Sequence, residues 1–485
     1  MLKSFFKDTI IYGVASILPR IINLAMVAIF TMVLGKADFS DQTTWYVYAA
    51  FINVILTMGI ETSFFRFYTS ETDKNKVLTT SSVILLVTSG LFLIIGLLAG
   101  GYATTFLGFS DHRFIQILVI ITVLDTLAVI PFAYLRVTGR PLRYMIIKIA
   151  NVTVLFLVTA FLLLVVPGIH SDENVFLNFL GIHRGFKPGV IHIIIANLIA
   201  SSTTLLIIAP ELLKIKWKVD RAILLKLLHY GWPIMVGGIA FTINENLDKL
   251  LIQKLIDKES NGVYAACYKL GVFMTLYITA FRLGAEPFFF KHSHQENAKE
   301  KYSTIMTWFV IFGCIFLVFV TVFVDQLAGI IIKNEIYLEG LYIVPVILLA
   351  NLFSGIYANL SIWYKLTDKT RFGMYISILG AVITIVSLYM FVPAFGIMGG
   401  AVATLFTYFV MTVISWFLGR LHYPVLYETG KILFFISVAT VFCTLSFIMF
   451  RGNLLVNIGI FILFLFLVLF VEKKEIENAF KKENI

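Results

Sequence analysis

The chain has 485 residues, 59% hydrophobic and only 14% charged, with a formal net charge of +10. Soluble domains carry about 25% charged residues, so a water-soluble fold is excluded and a polytopic membrane protein is indicated. The excess Lys and Arg lie between apolar runs rather than in a stripe or tail. That reads as topology signal and excludes nucleic acid as a partner.

In chain order, Lys3 and Lys7 precede an apolar run with the look of a signal peptide. The run is longer than the roughly 7–15 residues of such a segment and lacks an A-x-A site, so it is expected to stay as the first span. Within it, S-I-L-P-R-I-I-N-L-A-M places Arg20 in a stretch otherwise uncharged from Thr9 to Leu34. A guanidinium at that depth is unfavourable by roughly 3 kcal/mol on insertion scales. Pro19 beside it removes a helical hydrogen bond and opens space.

A membrane-crossing helix needs about 20 apolar residues. Runs of that length predict six spans at 9–33, 43–66, 77–103, 114–135, 144–167 and 190–210. A basic linker follows at 214–227, K-I-K-W-K-V-D-R-A-I-L-L-K from Lys214 to Lys226. Eight more spans are predicted at 228–252, 261–281, 303–324, 340–364, 372–392, 396–419, 431–450 and 453–471. The expected fold is all-α with about fourteen transmembrane helices, since open sheet edges cannot be satisfied in lipid. With the N-terminus inside, inner segments hold about 25 of the 38 basic residues and outer loops about 8. Both termini are therefore expected in the cytoplasm, the tail at 472–485 included.

The chain also repeats itself. L-R-V-T-G-R-P-L-R (135–143) is echoed by Y-K-L-T-D-K-T-R-F (364–372), each between the fourth and fifth spans of a group. Tyr12-Gly13 matches Tyr230-Gly231, Tyr46 then aligns with Tyr264, and Phe65-Arg66 with Phe281-Arg282. An even number of spans per copy gives a parallel repeat. Two six-helix lobes (1–213 and 228–420) are expected, with two extra spans in 421–471 and the substrate at midplane between the lobes.

Ionisable residues at depth are functional by default. Arg20, Asp125 and Lys269 fall near the middles of spans one, four and eight. Arg20 either pairs with Asp125 or faces a hydrated cavity and binds an anion. Lys269 either snorkels along Tyr264 or Tyr268 or shares that anion at similar depth. Glu245 and Lys249, spaced i,i+4, read as a self-neutralised pair, with Asp248 beside them. Arg66 and Lys148 are expected to snorkel to the inner interface. Asp125 and Glu61 are candidates for a coupling proton or cation. Asn23, Asn53, Asn244 and Tyr46 could contact cargo on polarity alone.

No G-x-x-x-x-G-K-[ST], H-E-x-x-H or G-x-S-x-G occurs, so no ATPase or hydrolase site is read, and no cofactor. Cys267, Cys314 and Cys443 lie inside apolar runs and are read as buried bystanders. His170, His183 and His192 lack a ligand cluster, so no metal site is expected.

Several stretches carry a family resemblance. They are V-L-G-K…W-Y-V-Y-A-A…M-G-I-E-T-S-F-F-R-F (33–67), H-Y-G-W-P-I…D-K-L-L-I…G-V-Y-A-A-C-Y-K-L-G (229–271), F-G-I-M-G-G-A-V-A-T (395–404) and Y-P-V-L-Y-E-T-G-K near Tyr423. Here the chain resembles the multidrug/oligosaccharidyl-lipid/polysaccharide exporter superfamily, in its bacterial polysaccharide-transporter branch of the O-antigen flippase type. The resemblance implies two six-helix lobes in a V that alternate access in the inner membrane. It implies movement of an undecaprenyl-pyrophosphate-linked glycan outward, with membrane lipids and a glycan polymerase or ligase as partners, and no enzymatic step. Pyrophosphate-binding candidates are then Arg20, Lys269, Arg66 and Arg282. Asp125, Glu61, Glu245, Asp248 and Lys249 are ion-coupling or charge-balance candidates. A peptidoglycan-precursor flippase or a cation-coupled multidrug exporter of the same superfamily are the alternatives, though drug exporters usually carry an acidic residue where this chain has Arg20.

Overall fold

A computed structural model describes residues 2–109, 111–168, 187–212, 219–293, 295–367 and 369–483. Fourteen helices among them are long and apolar enough to cross a membrane. They are α1 (Gly13–Val33), α2 (Lys36–Ser70), α3 (Lys74–Thr104), α4 (His112–Val137), α5 (Pro141–Val165), α6 (Val190–Leu212) and α7 (Arg221–Leu255). The rest are α8 (Lys258–His292), α9 (Ala298–Val322), α10 (Glu335–Leu366), α11 (Arg371–Phe395), α12 (Ile397–His422), α13 (Thr429–Met449) and α14 (Leu454–Glu475). There is no strand among the described residues. The end of the bundle where α1 begins is the near end below, the other the far end.

Span number and order match the expectation, but several helices outrun their apolar cores. Side-chain caps set where they start. The Asp220 carboxylate accepts from the N–H groups of Ala222 (3.0 Å) and Ile223 (3.2 Å), which satisfies donors a helix start leaves open. As a result α7 begins at Arg221, inside the stretch expected to be linker; residues 214–218 of that linker, and residue 213 before it, lie outside the described residues. Asp111, Asp257 and Asn334 cap α4, α8 and α10 in the same way. Most of the long loop at 168–189, with His170 and His183, also lies outside the described residues, as do the last two residues of the tail.

The duplication is visible in the packing. In the first lobe α5 packs on α1 and α6, and α6 also on α4; in the second α11 packs on α7 and α12, and α12 on α10. The matched turns are superposable bond for bond. Thr138 donates to the Tyr134 carbonyl through its N–H (3.0 Å) and hydroxyl (2.7 Å), and the Arg140 N–H reaches Leu135 O (2.9 Å). At a constant offset, Thr367 donates twice to Trp363 O (3.1 and 2.9 Å), and the Lys369 N–H reaches Tyr364 O (2.8 Å). Helices α13 and α14 stand outside this scheme and pack on α9. Ser446 donates to Asn457 (2.9 Å) and Arg451 pairs with Asp325 (3.0 Å) to hold them there.

The lobes meet mainly where α2 crosses α7 and α8. Helix α2 breaks at Met58 and Gly59, both left-handed (φ 47° and 67°). There the backbones touch: a Cβ on Gly59 would stand 2.5 Å from Gly231 O, and one on Gly231 2.5 Å from Met58 O. Small residues at such crossings are what lets helices associate in lipid, where packing rather than water exclusion holds them.

Candidate functional site

Arg20 is exposed on α1 and donates through Nη1 to the Thr279 hydroxyl on α8, 2.8 Å away in the other lobe. Asp125 is elsewhere, accepting from Ser201 at 2.8 Å between α4 and α6. The expected alternative of an Arg20–Asp125 pair is therefore not what forms. Arg282 lies one turn from Thr279, so it shares that face of α8. It pairs with Glu286 (3.0 Å), and Lys365 at the end of α10 pairs with the same carboxylate (2.9 Å). Two cations on one carboxylate leave this run of the seam positive, with Arg20 adding a third charge next to it. Arg20 forms no ion pair with a carboxylate among the described residues. Guanidinium groups with free donors suit phosphate oxygens, which accept them bidentately.

The remaining residues predicted from sequence are dispersed. Lys269 stands in a 3-10 turn, Lys269–Gly271, that interrupts α8. It lies ten residues from Thr279, about 15 Å along a helix, so it does not share the depth at which Arg20 meets α8. Glu61 pairs with Arg136 (3.0 Å) toward the near end. Arg66 lies over the Tyr230 ring, 4.5 Å from its centroid. Lys148 does not snorkel in the open but sits 4.5 Å over the Phe132 ring, a cation–π contact.

The expected Glu245–Lys249 side-chain pair does not form either. Lys249 Nζ bonds Asp248 (2.9 Å) and the backbone carbonyl of Glu245 (2.9 Å), and stands 3.8 Å over the Tyr268 ring. Tyr264 donates to the second Asp248 oxygen (2.6 Å), and Tyr408 donates to the Glu245 carboxylate. Asn244 joins Ser377 and Thr384 on α11. With Asp248, Lys249 and Asn244 all buried, this knot ties α7 to α8, α11 and α12. An i,i+4 spacing permits a pair, but a neighbouring carboxylate with better geometry took the ammonium.

At the far end the lobes are tied by a polar network that sequence reasoning did not pick out. Asn261 donates to Ser40 (2.7 Å), Ser40 to Gln253 (3.2 Å), and Thr44 also to Gln253. Lys36 pairs with Glu339 (2.6 Å) and Lys258 with Asp41 (2.7 Å). The Tyr337 hydroxyl donates to Leu34 O at 2.8 Å. Packing is tight enough that a side chain on Gly262 would collide with Lys36 O. Access to the seam is therefore closed at this end.

The three free cysteines are buried, and no group of His, Cys, Asp and Glu among the described residues is placed to hold a metal ion. His192 is used locally, its Nδ1 accepting from the Gly189 N–H (3.1 Å) at the start of α6.

A family profile described as "Polysaccharide biosynthesis protein" matches residues 5–291, more than half of the chain, and a MatE profile matches 233–390. Among solved structures, the chain is similar to an inward closed Lipid II flippase MurJ, with a TM-score of 0.75 at 15% identity over 96% of this chain and 100% of that one. It is also similar to an inward-facing multidrug resistance MATE family transporter, with a TM-score of 0.68 at 14% identity over 89% and 99%. A transporter from Pyrococcus furiosus, whose binding pocket is described as having reverse polarity, follows at 0.57 and 14% over 86% and 95%. An uncharacterized membrane protein of Methanocaldococcus jannaschii is 24% identical over 38% of this chain, and the match spans 43% of that relative. The profile match over more than half of the sequence shows the family, and the similar solved structures share the fold of fourteen spans: this chain belongs to the polysaccharide biosynthesis protein family.

Proposed function

We propose that the chain moves a polyprenyl-pyrophosphate-linked oligosaccharide across its membrane, an undecaprenyl carrier and a surface-polysaccharide repeat unit in the bacterial inner membrane. The observation that carries this is Arg20, presented across the seam to Thr279 with Arg282 one turn away and with no ion pair to a carboxylate among the described residues. A pyrophosphate bridging Arg20 and Arg282 would replace the Thr279 hydroxyl with a charged acceptor and link the two lobes through the cargo. Lys365 and Glu286 would set the charge of that site. The Lys and Arg distribution supports a cytoplasmic near end, and with that orientation the closed far end would correspond to a state that loads from inside. Rocking of the lobes about the seam would then release the cargo outside, driven by its different affinity for the two states. A lipophilic-cation exporter would need the opposite charge here. A peptidoglycan precursor carries the same pyrophosphate, and would be served by the same groups.

The test is lipid-linked oligosaccharide on each membrane face, in cells with the wild type, Arg20→Ala and no transporter. Accumulation on the cytoplasmic face in both defective strains, at normal protein levels, is expected. Unchanged lipid-linked oligosaccharide in the deletion would overturn the reading. Accumulation of peptidoglycan precursor instead would reassign the cargo.

A further inference from the structure

A cavity of about 1060 Å³ lies at the near end between α7, the α10–α11 turn, the start of α11 and Arg66 of α2. It is separate from the Arg20 contact but adjoins it: Lys365, paired with Glu286, is next in the chain to Tyr364, whose ring lines the cavity. Its walls combine two chemistries. Arg66, Lys369 and Arg371 supply positive charge, and Tyr230, Trp232 and Tyr375 supply aromatic surface. Trp232 and Tyr375 are more than half exposed. Gly373 packs closely on this wall, since a Cβ there would stand 3.0 Å from the Tyr364 ring.

The charge is a departure from the repeat. In the first lobe the equivalent turn also carries cations, yet Arg140 (3.4 Å) and Arg143 (2.6 Å) both reach Glu211 in the last turn of α6. In the second lobe the last turn of α12 offers Arg420 and His422 instead of an acid. No ion pair joins Arg66, Lys369 or Arg371 to a carboxylate among the described residues. The same backbone turn thus closes on itself in one lobe and stays open and positive in the other. Basic and aromatic residues at a membrane interface ordinarily form a convex belt against headgroups. Here they line a concavity large enough for a drug-sized ligand.

We propose that this cavity binds an acidic sugar, the pyranose face against the exposed Trp232 and Tyr375 rings and its carboxylate or phosphate on Lys369 and Arg371. This deepens the flippase reading and rests on it for the identity of the sugar as part of the cargo. The glycan would be sorted here, at a site distinct from the one that holds the pyrophosphate.

The test is binding by the full-length protein in phosphatidylcholine nanodiscs, where no flipping is required, so its failure and that of the flippase reading are separable. The probes are a glucuronate-containing tetrasaccharide, neutral maltotetraose and inorganic pyrophosphate. The acidic tetrasaccharide should bind and the neutral one should not. Lys369→Gln or Arg371→Gln should weaken the acidic probe about tenfold, the loss expected for one charge-assisted hydrogen bond, with unfolding temperature unchanged. Trp232→Ala should weaken it further, and Arg20→Gln should leave it unaffected while weakening pyrophosphate. Equal binding of acidic and neutral sugars would overturn the proposal, as would an acidic probe insensitive to Arg371→Gln. So would full displacement by pyrophosphate, which would make the cavity the pyrophosphate site. Loss of sugar binding in phosphatidylglycerol nanodiscs, matched by a Trp232-dependent fluorescence change from that lipid alone, would reassign it to a headgroup.

Discussion

The two α4–α5 and α10–α11 turns show what a duplication keeps and what it releases. Both keep a threonine whose N–H and hydroxyl cap the same carbonyl, and both place a cation two residues later. They differ in what the cations meet: Glu211 in the first lobe, a cavity in the second. Backbone geometry follows from the turn, and both copies keep the same hydrogen bonds. Charge balance depends on a distant helix end and is free to diverge, so the difference between copies points to function better than either copy alone.

Three measurements would break or sharpen that comparison. The largest effect is expected from Glu211→Gln. The carboxylate is nearly inaccessible, but the two arginines on it are 46% and 39% exposed, so its removal strands no buried charge and costs the charge-assisted hydrogen bonds, about 2 kcal/mol. Thermal unfolding in detergent should fall sharply, whereas Lys369→Gln in the other lobe should leave it unmoved. A stable Glu211→Gln protein would mean that the first turn is not held by its charges. Next, Thr138→Val and Thr367→Val each delete one cap hydroxyl and should each cost about 1 kcal/mol. Unequal losses in chemical denaturation would show that the matched geometry hides different roles. The smallest effect is expected from Arg136→Gln and Lys365→Gln, exposed or half-exposed partners of Glu61 and Glu286, at about 0.5 kcal/mol each. Lys365→Gln should be the milder, because Arg282 remains on Glu286; the reverse order would place Lys365 at the centre of that cluster.

Much of the architecture was legible in the sequence because lipid imposes it: span length, apolar runs and the even-numbered repeat follow from the bilayer. Arg20 stood out for the same reason, as a charge where none belongs. Partners were not legible. Thr279 and Arg20 are 259 residues apart and carry no spacing signal, and neither do Ser40 and Asn261 across the far end. Lys249 shows why spacing misleads: both Glu245 and Asp248 were in reach, and side-chain direction decided for Asp248. The start of α7 was misplaced because a capping aspartate, not an apolar run, sets it. The near-end cavity escaped notice because Arg66 read as an interface residue and Lys369 and Arg371 only as part of the repeated turn, and neither spacing shows a concave wall.

The far-end closure has a consequence for how readily it can be undone. Beside the packing of Phe39 on Tyr337 (ring centroids 5.5 Å), it relies between Lys36–Glu339 and Lys258–Asp41 on amide and hydroxyl groups of Gln253, Asn261, Ser40 and Thr44. Water can take the place of each such partner, so the net loss per bond is only about 1 kcal/mol. An apolar plug of the same area would be wetted at much greater cost. Chemistry at this end therefore favours a membrane barrier that solvent can dissolve and the protein can re-form.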